Sequence, residues 1–226
     1  MKIIITAFLI IFLTSCSTHT PPKPTHTNLS EIGAKRGDPI YIRIFKKEHI
    51  LELWVKVGKK YKLFNAYKVL RESGRMGPKK REGDKQNPEG VYKVSKSSLN
   101  PNSKYHLAVN IGYPNIYDRH LGRTGSAIMI HGSNKSIGCF AMGDSGIEDI
   151  YKIIEDALNG GQDSIDIAIF PFIMNDENMQ KYDKFASLHS FWKQMQNIYY
   201  IFELERVPPK VIVLENSYLV ESLKSD

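Results

Sequence analysis

The sequence predicts a mainly β protein with several helices. Three observations predict it. Apolar residues recur at every second position early in the chain, at Ile40, Ile42 and Ile44 and again at Leu51, Leu53, Val55 and Val57, which is the period of strands in a sheet. One helical period stands out later, where Ile147, Ile150, Tyr151, Ile154 and Leu158 fall on a single face. Beyond Phe172 the composition shifts to stretches with helical character, one opening on acidic residues and one rich in aromatics. Of 226 residues, 42% are hydrophobic and 24% charged, which suits one core of moderate size, or one domain with an appendage. The net charge of +7, from 31 basic and 24 acidic residues, reads as solubility. No basic run is interleaved with aromatics, so nucleic acid is not an expected partner.

Taken in order, the chain opens on Met1-Lys2 and an apolar run over residues 3–13. The run is too short to span a bilayer as a helix and has the length of a signal-peptide core. Leu13-Thr14-Ser15-Cys16 follows and resembles a bacterial lipobox. That resemblance implies removal of residues 1–15, lipidation of Cys16 and a stable membrane anchor on an exported protein. Ser17 stands where an aspartate would signal inner-membrane retention, which implies the periplasmic face of an outer membrane. A cleaved, soluble product is the competing reading. Residues 16–36 are expected to be a lipidated N-terminus and flexible linker, polar and proline-rich up to Ser30.

The folded part is expected from residue 37, as one domain over 37–172 and a helical extension over 173–226. The two alternating stretches and a third strand over 61–70 make an antiparallel meander. Residues 71–90 break the pattern with a polar loop whose Arg75, Lys79, Lys80 and Arg81 suit substrate carboxylates; a solvated loop is the alternative. Strands resume over 91–95 and 105–111. The loop over 112–125 carries Tyr113, Tyr117, Asp118 and Arg123 and leads into the strand that ends at His131. Tyr113, Tyr117 and Arg123 are therefore candidate substrate contacts. After Cys139, Ser145-Gly146-Ile147-Glu148 fits a capping box, and Gly160-Gly161 ends the helix. A strand over 164–170 stops at Pro171. Helices are expected over 176–186 and 190–206, the second packing Phe191, Trp192, Tyr199 and Phe202 on the sheet. A hairpin pairs 211–214 with 218–220.

The chemistry concentrates in Ile128-Met129-Ile130-His131-Gly132-Ser133-Asn134-Lys135-Ser136-Ile137-Gly138-Cys139-Phe140. An imidazole and a thiol stand at the two ends of one short loop, so Cys139 is a candidate nucleophile and His131 its base. If Cys16 carries lipid, Cys139 has no partner for a disulfide within the chain. Gly138 lets the backbone approach a substrate, and the N–H groups of Gly138 and Cys139 are candidates for an oxyanion hole. Between His131 and Cys139 only Asn134 could orient the imidazole; otherwise a backbone carbonyl or a distant residue must. A zinc site using His131 and Cys139 with His106, His120 or Asp144 is the rival chemistry. It lacks any tight ligand spacing.

His131-Gly132 followed by Ser136-Ile137-Gly138-Cys139 resembles the active-site motif of the L,D-transpeptidases, the YkuD-like catalytic domain. Asn87-Pro88-Glu89-Gly90-Val91-Tyr92 resembles the family's Pro-x-Gly-aromatic signature. The similarity runs from about Pro39 to Phe172. It departs at Ile137, where the common pattern has histidine, and at Ala141, where it has arginine. With the Gly-Pro-Lys, Gly-Tyr-Pro-Asn and Tyr-Asp-Arg segments of the two loops, these departures resemble a murein L,D-transpeptidase-like sub-family that includes an amidase releasing a lipoprotein from peptidoglycan. The resemblance implies a β-sandwich-like domain with one helix beside the active site. It implies that Cys139 attacks a diaminopimelate carbonyl of a stem peptide, giving a thioester. His131 would be base and then acid, the Gly132 carbonyl would orient it, and Gly138 and Cys139 would hold the oxyanion. Ser136, in the motif, joins the candidate substrate contacts. No metal or organic cofactor is implied. The expected partners are peptidoglycan stem peptides and a peptidoglycan-linked lipoprotein. A non-catalytic peptidoglycan-binding lipoprotein is the competing function.

Overall fold

The alternation along the first strand is explained by what covers each of its faces. The computed structural model describes residues 28–221; the signal segment, Cys16 and most of the expected linker lie outside the described residues. Strand β1 (Ile40–Phe45) is buried at every position. Ile40, Ile42 and Ile44 enter one core, and Tyr41 and Phe45 enter another on the opposite face. Burying a side chain of this size contributes about 1.5–3 kcal/mol, so a strand covered on both faces is pinned in register. β1 pairs antiparallel with β2 (Ile50–Val57), which pairs antiparallel with β3 (Lys60–Lys68). That is the expected meander. β4 (Gly90–Val94) joins through β9 (Ile165–Phe170), which runs parallel to β1, so the order is β3-β2-β1-β9-β4.

A second sheet has the order β5-β6-β7-β8, from β5 (Leu99–Ser103), β6 (His106–Asn110), β7 (Met129–His131) and β8 (Phe140–Ala141). Val109, Ile130 and Phe140 of this sheet share the first core with the isoleucine face of β1 and with α2 (Asp144–Asn159). Two β layers with a helix beginning three residues after β8 match the β-rich architecture that the family resemblance implies. The other face of the first sheet carries α4 (His189–Glu205). Phe202 lies 4.9 Å from the Tyr41 ring and edge-on to Trp54 at 5.0 Å, so the aromatic stripe packs on the sheet as its spacing predicts. Arg43 is buried in that layer. It is held by Glu52 and Glu203, each at 2.6 Å, and lies 4.7 Å from the Phe202 ring centre. Two carboxylates and aromatic faces together offset the cost of burying the guanidinium.

Several local expectations change. The folded part begins before residue 37: a 3-10 turn at Leu29–Ile32 lays Leu29 and Ile32 on the first core, and Ala34 is buried. Apolar spacing in this stretch is too sparse to announce itself. Helix α2 does not use the Ser145–Glu148 capping box; it starts at Asp144 after Gly143. Glu148 instead reaches His106 at 2.6 Å, and Asp144 accepts from the Ser133 N–H. The loop over 112–125 contains a short helix α1 (Ile116–His120), capped by Asn115 and Asp118. Helix α3 (Asp176–Lys181) is shorter than expected. β5 was not expected at all, because Asn100-Pro101-Asn102-Ser103 has turn composition and no apolar alternation. Among the described residues no helix is long and apolar enough to cross a membrane.

Candidate active site

β7 and β8 run parallel, with Ile130 opposite Phe140 and His131 opposite Ala141. That register seats Cys139, just before β8, beside Met129. The Met129 N–H donates to Cys139 Sγ at 3.4 Å, and the thiol points to the Ala127 carbonyl at 3.6 Å. His131 and Cys139 line one cavity of about 470 Å³. No hydrogen bond joins them directly in this state, which is common before a substrate tightens such a site. His131 is 2% exposed, and its Nδ1 lies 2.6 Å from the Gly132 carbonyl oxygen. A carbonyl only accepts, so Nδ1 carries the proton and Nε2 keeps a lone pair. The Tyr105 ring stacks on the imidazole at 4.7 Å. A Cβ on Gly132 would sit 2.6 Å from the Tyr105 carbonyl oxygen and 2.8 Å from Asp144 Oδ1, so only glycine fits.

Burial holds the His131 pKa below its ordinary value, with the Gly132 carbonyl acting against it. Burial likewise pushes the Cys139 thiol up, against the Met129 N–H and the Lys79 ammonium. Both shifts favour a neutral thiol and a neutral imidazole over an ion pair. Around it, Ala127, Ser133 and His106 hold φ of 55°, 61° and 72°. Non-glycine residues rarely adopt this region, and such strain clusters where a site is held in one geometry.

The loop over 71–90 clamps the backbone at Gly138 and Cys139. Asn87 is fully buried; its Nδ2 donates to the carbonyls of Gly138 at 3.2 Å and Cys139 at 2.8 Å. Its Oδ1 accepts from the Ser73 N–H at 2.8 Å. Ser73 Oγ accepts from the Gly138 N–H at 2.7 Å. Ser136 Oγ also donates to the Cys139 carbonyl, at 2.6 Å. Gly138 turns through φ of 88°, which only glycine adopts freely. The Gly138 N–H is thus already engaged and is not an open oxyanion donor, contrary to expectation. The Cys139 N–H donates to nothing among the described residues.

The other residues singled out in the sequence fall elsewhere. Tyr113 is buried, with its hydroxyl 3.3 Å from the Lys79 carbonyl. Tyr117 is buried and stacks on Tyr218 at 4.4 Å. Arg123 pairs with buried Asp118 at 2.7 Å and lies over Tyr117. All three hold the 112–125 segment to the fold, and none is among the residues that line the Cys139 cavity. Their loop is near His131 in sequence, and packing turns it away. Lys79 is buried against Asp84 at 2.6 Å, and Arg75, Lys80 and Arg81 line a different cavity with Phe185 and Leu188. The residues that could have completed a zinc site are also engaged apart: His106 with Glu148, His120 with the Glu215 carbonyl and Asp144 with Ser133. Nothing in the sequence announces the clamp made by Ser73 and Asn87 or the wall made by Asn100 to Tyr105: Asn87 stands at the head of the Asn87–Tyr92 segment, and the hairpin wall carries only turn-like composition.

Residues 39–167 match the model of the YkuD family, described as the L,D-transpeptidase catalytic domain. The chain is 46% identical over 184 residues to YafK of Escherichia coli (strain K12), a protein provisionally named an L,D-transpeptidase. The aligned region covers 81% of this chain and 74% of that one. YafK of Escherichia coli O157:H7 matches to the same extent. Among solved structures, the helical cell shape determining protein Pgp2 from Campylobacter jejuni shares 21% identity at a TM-score of 0.47, covering 83% of this chain and 79% of that chain. Bd1075 of Bdellovibrio bacteriovorus shares 19% identity at a TM-score of 0.41, covering 82% and 78%.

Proposed function

Because the chain belongs to the L,D-transpeptidase (YkuD) family, and so to the enzymes of peptidoglycan metabolism, we propose that it is a cysteine acyl-transfer enzyme acting on peptidoglycan stem peptides. The observation that carries this reading is the geometry of one cavity. Cys139 and His131 both line it, and the Gly132 carbonyl fixes the imidazole with its basic nitrogen free. In the proposed reaction Cys139 Sγ bonds to a diaminopimelate carbonyl carbon while His131 Nε2 takes the thiol proton. The Cys139 N–H donates to the oxyanion. The adduct collapses, the C–N bond breaks, and His131 returns the proton to the leaving amine. A thioester remains. An amine acceptor gives transpeptidation. Water gives hydrolysis, including the release of a lipoprotein linked to peptidoglycan.

The test treats purified sacculi with the wild type or with Cys139→Ala and compares muropeptides by mass spectrometry. The wild type is expected to change the profile and the variant to leave it as untreated. New cross-linked dimers identify transpeptidation; loss of lipoprotein-linked or cross-linked species identifies hydrolysis. Identical profiles from both proteins would overturn the enzyme reading and leave the non-catalytic, peptidoglycan-binding lipoprotein. We further place the protein at the periplasmic face of the outer membrane, held by lipid on Cys16. In this reading Cys16→Ala moves it from the membrane fraction to the soluble fraction, and retention in the membrane would refute the anchor.

A further inference from the structure

One wall of the Cys139 cavity is the β5–β6 hairpin, and its only charged group is a cation. Asn100, Asn102, Ser103, Lys104 and Tyr105 line it, and no carboxylate lines the cavity anywhere. Lys104 forms no ion pair among the described residues. Its ammonium lies 5.2 Å from the Tyr105 ring centre, and that ring stacks on His131 at 4.7 Å. The ammonium is therefore within about 10 Å of the imidazole, a span an extended peptide covers in about three residues. Asn102 uses its backbone N–H on Asn100 Oδ1 at 3.1 Å. The side-chain amide N–H groups of Asn100 and Asn102 meet no acceptor among the described residues. The hairpin holds this arrangement through an irregularity in register between Asn100 and Ser103, with Ser103 Oγ capping the Tyr105 N–H at 3.1 Å.

A cation with no counter-charge on its wall, beside amide N–H groups that are free to donate, matches an anion. On a wall this close to the reacting carbonyl, the anion must belong to the substrate. We propose that Lys104, assisted by the amides of Asn102 and Asn100, is a carboxylate subsite. It selects stem peptides that carry a free carboxylate close to the attacked carbonyl over the same peptides with that group amidated. The proposal rests on the acyl-transfer reading given above and names the feature of the substrate which that reading leaves open. A carboxamide removes the charge that Lys104 attracts and turns an N–H₂ toward an ammonium that can only donate, so the discrimination centres on Lys104.

The experiment measures kcat/KM of the full chain on a purified stem-peptide substrate and on its carboxamides, one amidated on the diaminopimelate side chain and one at the chain end. The wild type is expected to prefer the free acid about tenfold over one of the two carboxamides, a modest factor because the ammonium is exposed and screened. The preference should shrink as salt rises. Lys104→Met is expected to bring the ratio close to one, and Lys104→Arg to keep most of it. Equal wild-type rates on the acid and both amides, or a ratio unchanged in Lys104→Met, would overturn the subsite while the acyl-transfer reading stands. Absence of turnover on every substrate by wild type and variants alike would instead overturn the acyl-transfer reading and the subsite with it. Alkylation of Cys139 at a common rate in all variants reports that they are folded alike.

Discussion

Replacing Glu89 with alanine is expected to remove about 3 kcal/mol of folding stability and to loosen the nucleophile loop. Glu89 is fully buried, and both of its oxygens are used. Oε1 takes the Lys46 ammonium at 2.8 Å and the Gly77 N–H at 2.8 Å; Oε2 takes the indole N–H of Trp192 at 2.9 Å. Lys46 also donates to the carbonyls of Gly77 at 2.9 Å and Arg75 at 3.2 Å. One ion pair thus ties β1, the 71–90 loop and helix α4 together. Breaking a buried pair from one side typically costs about 3–5 kcal/mol, because the other charge stays in place without its partner. Part of this is recovered nearby. Burial and the charges of Glu89 and Glu48 push the Glu72 carboxyl up to about 7, with Lys46 acting against them. Once Glu89 is gone, Glu72 ionises more readily and partly neutralises Lys46. Urea unfolding at pH 8 measures the loss, and a loss below about 1 kcal/mol would show that the pair is not what fastens the loop. Glu89→Gln is expected to fall between the wild type and Glu89→Ala, since its amide oxygen still accepts while Lys46 loses its direct counter-charge. In both variants Cys139 should react faster with a thiol reagent, because Asn87, two residues away, is the anchor of the Gly138 and Cys139 carbonyls.

Which parts of this arrangement could be read from the sequence follows from how each is built. β1, β2 and β9 are legible because each sets aliphatic residues at every second position on the face that meets the first core, with residues of other types between them. The Cys139–His131 loop was legible because its two reactive side chains lie eight residues apart and the short parallel pair of β7 and β8 brings them to one cavity. The substrate side of the site was not legible. Tyr113, Tyr117 and Arg123 were near His131 along the chain, yet Asp118 and Tyr218 draw them into the fold. Lys104 and Asn102 were unremarked because a turn and a binding wall use the same small polar residues, and only the pairing of β5 with β6 tells them apart. The buried Lys46–Glu89 pair was hidden for a related reason: it joins residues 43 positions apart, each of which reads alone as a surface charge. A composition change from Asn175 suggests a helical extension, and Trp192, Phe202 and Tyr218 pack that extension on the second face of the first sheet.

His131→Gln separates the two ways in which a cysteine can be activated, and turnover on stem peptides is expected to fall about 10²–10⁴-fold. Two outcomes must be read together. If the thiol and imidazole formed an ion pair at rest, the substitution would also slow alkylation of Cys139 near neutral pH, because the thiolate would be lost. The structure points the other way. Burial raises the thiol above its ordinary value of 9.0 and lowers His131 below its ordinary 6.5, and Cys139 Sγ is engaged with Met129 and Ala127 instead of the imidazole. Alkylation of the wild type by iodoacetamide should therefore be slow at pH 7 and climb only above pH 9, with nearly the same profile in His131→Gln. The sign for catalysis follows from the same two shifts. The active form needs Nε2 unprotonated, so kcat/KM holds as pH falls to 6.5 and is lost below it, as the imidazole takes up its proton. Fast alkylation at pH 7 that the substitution abolishes would show a resting ion pair and refute proton transfer during attack, and an acid limb above pH 6.5 would show that burial does not hold the imidazole below its ordinary value. On the expected result, the role of His131 is confined to the moment when the sulfur reaches the carbonyl carbon. The Gly132 carbonyl and the stacked Tyr105 ring then serve to keep one tautomer in one orientation until a substrate arrives.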